Sequence, residues 1–160
     1  MSRNAFKKIK SVAFIFSDFD GVMTDDRVLV DQNGKESVFC SRADGLGLGM
    51  LKKKGIPCVV ISKERNPVAK IRCKKLKIKC FTGVDDKLKC LLSVAKKSKV
   101  DLKKSCFVGN DVTDIECMKR VGFAIAPKDA HPAVRKIADY VTKTKGGEGV
   151  FREVADVILG

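Results

Sequence analysis

Residues 12–25 read VAFIFSDFDGVMTD, and the fold of the whole chain turns on this stretch. Val12-Ala13-Phe14-Ile15-Phe16 is a run of β-branched and aromatic residues bounded by turn formers, which reads as a strand buried on both faces. Asp18 and Asp20 follow at its C-terminal end, then Gly21 and Thr24. Ligands of open α/β sheets occupy the crevice beyond the carboxyl ends of the strands, so two acids stand where chemistry is usually done. The competing reading is an acidic turn, because Asp and Gly are ordinary turn residues. Carboxylates two residues apart point in opposite directions along a continuing strand. They face one site only if the chain turns at Phe19.

Working outward, Val28 to Phe39 holds two β-prone arms about Asn33-Gly34. Asn-Gly is the strongest short-range hairpin signal, so a flap is expected just beyond the first strand. Leu46 to Lys54 reads as a helix closed by Gly55, and Pro57 to Ile61 as a second buried strand. Asn66-Pro67 opens a helix to Lys75, and a short strand lies near Cys80-Phe81. Asp86 to Lys99 reads as an amphipathic helix with Leu88, Leu91, Leu92 and Ala95 on one face. Ser105 to Gly109 is a further strand, ending in a second acidic cluster, Asn110-Asp111-Val112-Thr113-Asp114. Helices are expected over residues 115–120, 132–138 and 150–159, with strands over 123–126 and 140–141. This alternation predicts a mainly parallel sheet with right-handed crossovers and helices on both faces, a Rossmann-like three-layer α/β/α arrangement. No repeat or linker interrupts it, and 160 residues fit one domain.

Composition narrows the class. With 44% hydrophobic and 32% charged residues, the chain reads as a soluble globular protein, and no apolar run is long enough to span a bilayer. The N-terminal MSRNAFKKIKSVAFIF is basic and then apolar, yet it runs straight into Asp18 without a small-residue cleavage site. It therefore reads as a strand and not as a targeting segment. Seven cysteines form no CxxC pair, and only His131 could join them as a nitrogen ligand, so neither a zinc site nor a disulfide framework is expected. Cys58 and Cys106 lie in apolar strand-like runs, where free cysteine behaves as a small hydrophobe; a reducing cytoplasm is the expected location. The net charge of +14 raises nucleic acid as a partner. Against it, the lysines spread over several helical segments, no helix-turn-helix or zinc-finger pattern is present, and aromatics are too few for stacking. Solvated helix faces account for the charge, which would also attract an anionic substrate. Neither nucleic acid nor membrane is an expected partner.

The chemistry follows from residue types and order. One of Asp18 and Asp20 can act as a nucleophile while the other, differently solvated, serves as acid and then base. The second acidic cluster offers oxygen ligands of the kind Mg²⁺ favours. Ser62 ends the strand Val59-Val60-Ile61 and could hold a phosphate oxygen, and Lys87 opens a helix and could set a cation beside the same oxygens. Together these make a phosphoryl-transfer site, where the charge of the transferred group needs neutralising. Taken singly, Ser62 reads equally well as a helix cap, Lys87 as a surface lysine, and Asp114 as the cap of the helix after it. Their order along alternating strands favours the joint reading.

DFDGVMTD resembles the first motif of the haloacid dehalogenase-like phosphatases, DxDGxxTD. Ser62, Lys87 and the cluster GNDVTD fall where the second, third and fourth motifs belong. The hairpin, Ala43-Asp44-Gly45-Leu46-Gly47, Ala130-His131-Pro132 and the stretch Gly146 to Glu153 are similar to a small branch without a cap domain. That branch contains octulosonate 8-phosphate phosphatases and the phosphatase domains of acylneuraminate cytidylyltransferases. The resemblance implies that Asp18 attacks phosphorus to form an aspartyl-phosphate. Asp20 then protonates the leaving sugar oxygen and later activates water. It implies Mg²⁺ held by Asp18, the backbone carbonyl of Asp20 and the fourth motif, with Ser62 and Lys87 on the phosphate. It further implies a homotetramer whose hairpin and Gly146 to Glu153 tail cover a neighbour's site, and a cytidylyltransferase as a candidate partner.

Two departures stand out. The fourth motif usually begins Gly-Asp, and Asn110 occupies that place here. Its neutral carbonyl can weaken metal binding or hand the ligand's role to Asp111, and a feebly catalytic assembly module is the alternative function. After Ser62 the chain reads Lys63-Glu64-Arg65. A Glu there is similar to phosphatases of nine-carbon, sialic-acid-type sugar-acid 9-phosphates, in which it and a later Arg, corresponding to Arg72, contact the sugar. The expected substrate is thus a nine-carbon sugar-acid phosphate, with 3-deoxy-D-manno-octulosonate 8-phosphate as the alternative. Glu64 and Arg72 read equally well as helix-surface charges.

Overall fold

The structure is a computed structural model that describes residues 3–160. In chain order it comprises α1 (Arg3–Lys10), β1 (Phe14–Ser17), β2 (Leu29–Val30), β3 (Glu36–Ser37), α2 (Arg42–Lys53), β4 (Cys58–Ile61), α3 (Val68–Leu76) and β5 (Lys79–Phe81). There follow α4 (Lys87–Lys97), β6 (Ser105–Val108), α5 (Ile115–Arg120), β7 (Phe123–Ala126), α6 (Pro132–Ile137), β8 (Tyr140–Val141) and α7 (Val150–Leu159). Six strands form one sheet in the order β5-β4-β1-β6-β7-β8, and every neighbouring pair is parallel. The chain steps outward from β1 through β4 to β5, then returns beside β1 as β6 and proceeds the other way. The crevice at this reversal opens beyond the carboxyl ends of β1 and β6.

The period of two along β1 divides the apolar run between two cores. Ile15 joins Val60, Val108 and Ile125 beneath Ile9 of α1, Leu51 of α2, Cys73 of α3 and Phe151 of α7. Phe14 and Phe16 face the other way with Ile61 and Phe107, against Leu91 of α4, Met118 of α5 and Val134 of α6. Both faces are covered, which is why the strands carry continuous rather than alternating hydrophobicity. The β2–β3 hairpin pairs antiparallel about Asn33-Gly34, with Val30 opposite Glu36, as its sequence predicts.

Four expectations need correction. The residues before β1 wind into α1 instead of running directly into the strand; Ile9 is buried while Lys7, Lys8 and Lys10 stay in water. Helix α2 begins at Arg42, because the Ser41 hydroxyl accepts the Ala43 N–H at 3.1 Å and caps it. Its Gly47 is required by packing: a Cβ there would lie 2.1 Å from the Phe151 carbonyl oxygen, so α2 and α7 approach backbone to backbone. In α4, Val94 is buried with Leu91 and Ala95, whereas Leu92 is 37% exposed. Finally, Gly146 to Glu153 is packed into its own chain. Gly147 donates to the Val22 carbonyl at 3.1 Å, Phe151 is buried against α2, and Glu153 accepts from Tyr140 Oη, Lys143 N and Thr144 N.

Candidate active site

The chain turns immediately after β1. Phe19 is buried, and its carbonyl accepts from Met23 N at 2.8 Å, so the backbone curls and Asp18 and Asp20 line the same cleft. Gly21 takes φ +70°, and a Cβ there would overlap the Asn110 side chain, so only glycine lets the two acidic loops meet. The buried Thr24 hydroxyl gathers this loop. It accepts from Gly21 N and Asp26 N, each at 3.2 Å, and donates to Asp20 Oδ1 at 3.3 Å.

Lys87, the first residue of α4, follows Asp86, whose side chain caps the helix by accepting from Lys89 N. This start directs the lysine into the crevice, where Nζ donates to Asp18 Oδ2 at 2.5 Å and Asp114 Oδ1 at 2.8 Å. Asp114 is fully buried, and its Oδ2 accepts from Asn110 N at 3.0 Å and Asp111 N at 3.3 Å. One carboxylate thus fixes both the lysine and the acidic loop. A Cβ at Gly109 would lie 2.6 Å from that of Asp114, which explains the glycine before the cluster. Ser62, buried at the end of β4, is held by its own N–H to the Phe81 carbonyl, and its Oγ accepts from Glu64 N at 3.1 Å.

Asp18, Asp20, Ser62, Glu64, Lys87, Asn110 and Asp111 line one open cleft of about 180 Å³. Asp20, Asp26 and Glu64 also border an adjoining cleft of about 280 Å³. The latter extends to Glu36 on the hairpin, which accepts from Asn66 Nδ2 at 2.5 Å. Arg72 is not brought to either cleft: its Nη2 donates to the Ser41 carbonyl at 2.8 Å, and its Nε is buried without a partner. Glu64 and Arg72, both expected to contact the sugar, are therefore not brought to one cleft within the chain, because α3 turns Arg72 toward Ser41 before α2. His131 caps α6 by accepting from Ala133 N at Nδ1, and its backbone N–H donates to the backbone carbonyl of Asn110 at 2.8 Å.

Burial pushes the Asp18 carboxyl up to about 7; the Asp114 charge adds to this, and Lys87 opposes it. Burial alone would depress Lys87, but Asp18 and Asp114 outweigh it and the ammonium is held above its ordinary value. Burial also raises Asp20, against the Thr24 hydrogen bond. Among the described residues no three His, Cys, Asp or Glu side chains gather as a metal-binding group. The cleft instead offers mixed oxygens. Asn110 Oδ1 is buried with no hydrogen-bond partner, a costly state unless something pairs with it. Beside the Asp18 carboxylate, that orphaned amide oxygen fits a hard cation.

Two site features escaped the sequence. Asp114 read as a helix cap or a direct participant, and it is the buried counter-ion of Lys87. Thr24 carried no assigned role, although its spacing from Asp20, four residues within one tight loop, was the available signal.

Comparison with known proteins agrees with this geometry. The family of haloacid dehalogenase-like hydrolases matches residues 59–154. The 3-deoxy-D-manno-octulosonate 8-phosphate phosphatase KdsC of Haemophilus influenzae is 32% identical over 154 residues, which span 96% of this chain and 86% of the relative. Among solved structures, a HAD family chain from Streptomyces avermitilis is 41% identical with a TM-score of 0.92, covering 95% of this chain and 87% of that one. The octulosonate phosphatase of Moraxella catarrhalis, in complex with a magnesium ion, a phosphate ion and a KDO molecule, is 31% identical with a TM-score of 0.95. That match covers 99% of this chain and 92% of the other. With the reversal-point crevice, the two acids and the buried lysine in place, the chain belongs to the haloacid dehalogenase-like hydrolases and is a phosphoric monoester hydrolase.

Proposed function

We propose that the chain hydrolyses the phosphate ester of a keto-deoxy sugar acid, with 3-deoxy-D-manno-octulosonate 8-phosphate as substrate. The convergence of Asp18, Asp20, Ser62 and Lys87 on one cleft carries the reaction. The likeness over nearly the whole chain to octulosonate 8-phosphate phosphatases carries the substrate. An oxygen of Asp18 attacks phosphorus, and the bond from phosphorus to the sugar oxygen breaks as Asp20 delivers its proton there. Asp20, now a carboxylate, takes a proton from water, whose oxygen displaces Asp18 from phosphorus. Lys87 and the Ser62 hydroxyl neutralise and hold the phosphate oxygens. Asp18, the backbone carbonyl of Asp20 and the amide oxygen of Asn110 would hold Mg²⁺. When bound, it supplies positive charge to the phosphate oxygens and keeps Asp18 ionised. The uncommitted, buried oxygen of Asn110 supports it over Asp111, whose Oδ1 already accepts from Val112 N at 2.6 Å.

A nine-carbon sugar-acid 9-phosphate is the second reading, favoured by Glu64, whose carboxylate borders both clefts and can accept hydrogen bonds from sugar hydroxyls. Phosphate release from the two substrates, with and without Mg²⁺, separates them. Preference for the eight-carbon ester supports the first; release from neither, with Asp18→Asn equal to the parent, defeats both. The whole of residues 1–160 acts as one unit in this proposal, assembled as a cytoplasmic homotetramer. The exposed apolar side chains Val28, Leu29, Val30 and Phe39 on and around the hairpin support the assembly.

A further inference from the structure

We infer that the end of the sheet opposite the catalytic cleft is a docking surface for an acidic, apolar-anchored segment of a partner protein. In a parallel sheet every crossover helix returns against the strands, so all helix-to-strand junctions lie at the end where the strands begin. Here those junctions are residues 7–13, 50–57, 73–79, 94–104, 117–122 and 134–139. They contain nineteen of the 33 Lys and Arg residues of the chain and two of its 19 Asp and Glu residues. All nineteen are exposed. The base therefore carries more than the entire net charge of +14, and the rest of the chain is net negative. The charge is gathered at the C-terminal turns of the helices and in the loops that follow them.

Compensation of helix dipoles explains part of this. It does not explain Lys77, Lys79, Lys99, Lys103 and Lys104, which lie beyond the ends of the α-helices. Nor does it explain why, among the described residues, Lys119 alone of the nineteen has a carboxylate partner, Glu116. Like charges left unpaired repel one another, a cost that a polyanion removes.

The same end bears a groove of about 410 Å³, larger than the catalytic cleft, floored by Phe14, Leu48, Ile56 and Ile78 and rimmed by Lys52, Lys77 and Lys79. It adjoins a second hollow of about 300 Å³ that shares Phe14, Pro57, Ser98 and Val100 and adds Lys99 and Lys104. An apolar floor inside a cationic rim takes an aliphatic side chain flanked by carboxylates. Bases would find little to stack on, because the one aromatic side chain lining the groove and the hollow, Phe14, is buried, 8% exposed. A bilayer needs protruding apolar groups, and these lie recessed on a groove floor.

Fluorescence anisotropy with a labelled peptide of Glu-Glu-Leu repeats tests the assignment. Controls are a Glu-only peptide of equal charge, a single-stranded oligonucleotide and phosphatidylserine vesicles. The expected result is binding that weakens as salt screens it, at least about tenfold tighter for the leucine-bearing peptide than for the Glu-only one. The triple variant Lys52→Glu, Lys79→Glu, Lys104→Glu should lose that binding by a similar factor. Phosphate release and the circular dichroism spectrum should stay unchanged. The neutral triple variant with Gln at these positions should lose part of the binding, and it replaces the first variant should charge reversal unfold the protein. No peptide binding at low salt, equal binding of both peptides, tighter binding of oligonucleotide or vesicles, or unaltered binding by the variants would each overturn the assignment.

Discussion

Asp44 joins α2 to the start of α7: it is 1% exposed, its Oδ1 accepts from Phe151 N at 2.9 Å, and its Oδ2 has no partner. Burial pushes this carboxyl up from 3.8 to about 6, against the opposing pull of the Phe151 N–H and the Arg72 charge. An acid whose folded value exceeds its unfolded value binds more protons in the native state between the two. Stability therefore falls as pH rises from 3.8 through about 6 and stays lowered above it. A gap of this width corresponds to about 3 kcal/mol at neutral pH. Asp44→Asn keeps an oxygen for Phe151 N–H but carries no charge, so it lacks this decline. Urea unfolding of parent and variant, followed by far-ultraviolet circular dichroism at pH 4 and pH 7, isolates the effect, since every other titration cancels in the difference. The variant should gain about 2 kcal/mol relative to the parent on going from pH 4 to pH 7, since part of the decline has already occurred at pH 4. A flat difference, or a variant that fares relatively worse at pH 7, refutes the reasoning. It would mean that Arg72 and the helix N-terminus outweigh burial and hold Asp44 as a useful anion.

Asp18→Asn removes the nucleophile without changing its shape and should cut phosphate release by about a thousandfold or more, with the thermal midpoint no lower than the parent's. Lys87→Met leaves Asp18 and Asp114 buried beside no cation; urea unfolding at pH 7 should show a loss of about 3–5 kcal/mol. Gly47→Ala forces a methyl against the Phe151 carbonyl and should cost about 1–3 kcal/mol, read as a lowered thermal midpoint with the same urea m-value. Asn110→Asp supplies a charged oxygen where a neutral one sits, so activity after chelation should return at a lower Mg²⁺ concentration than the parent needs.

Most of the fold was legible because its signals are local. The apolar runs at residues 14–17, 58–61, 105–108 and 123–126 allow little but buried strands. Their alternation with helices leaves few topologies once crossovers are right-handed. Asn33-Gly34 specified its hairpin by turn chemistry alone. Boundaries failed where a cap was overlooked, as at Ser41, or where a short amphipathic helix, α1, was hidden by lysines that resembled the start of a basic leader. The apolar face of α4 was misassigned for another reason: Leu88, Leu91, Leu92 and Ala95 fit the 3.6-residue period as well as the buried set Lys87, Leu91, Val94 and Ala95 does, and only packing selects the second.

What the sequence withheld depends on contacts between distant segments. Asp114 satisfies the spacing of a cap for α5, and nothing nearby discloses that Lys87, 27 residues earlier, needs it as a counter-ion. Arg72 shows the reverse case. The resemblance to nine-carbon sugar-acid phosphatases set it beside Glu64 at the sugar, yet eight residues later the chain has passed into α3, and its guanidinium meets Ser41 on the α2 side. For the nine-carbon reading to keep Arg72 as a sugar contact, the arginine must reach a cleft other than its own chain's. The substrate question and the assembly question are therefore linked. If the protein prefers the eight-carbon ester, Arg72 is free to serve structure alone, packed beside Asp44. In that case Arg72→Ala should alter stability and its pH dependence through Asp44, while leaving KM untouched.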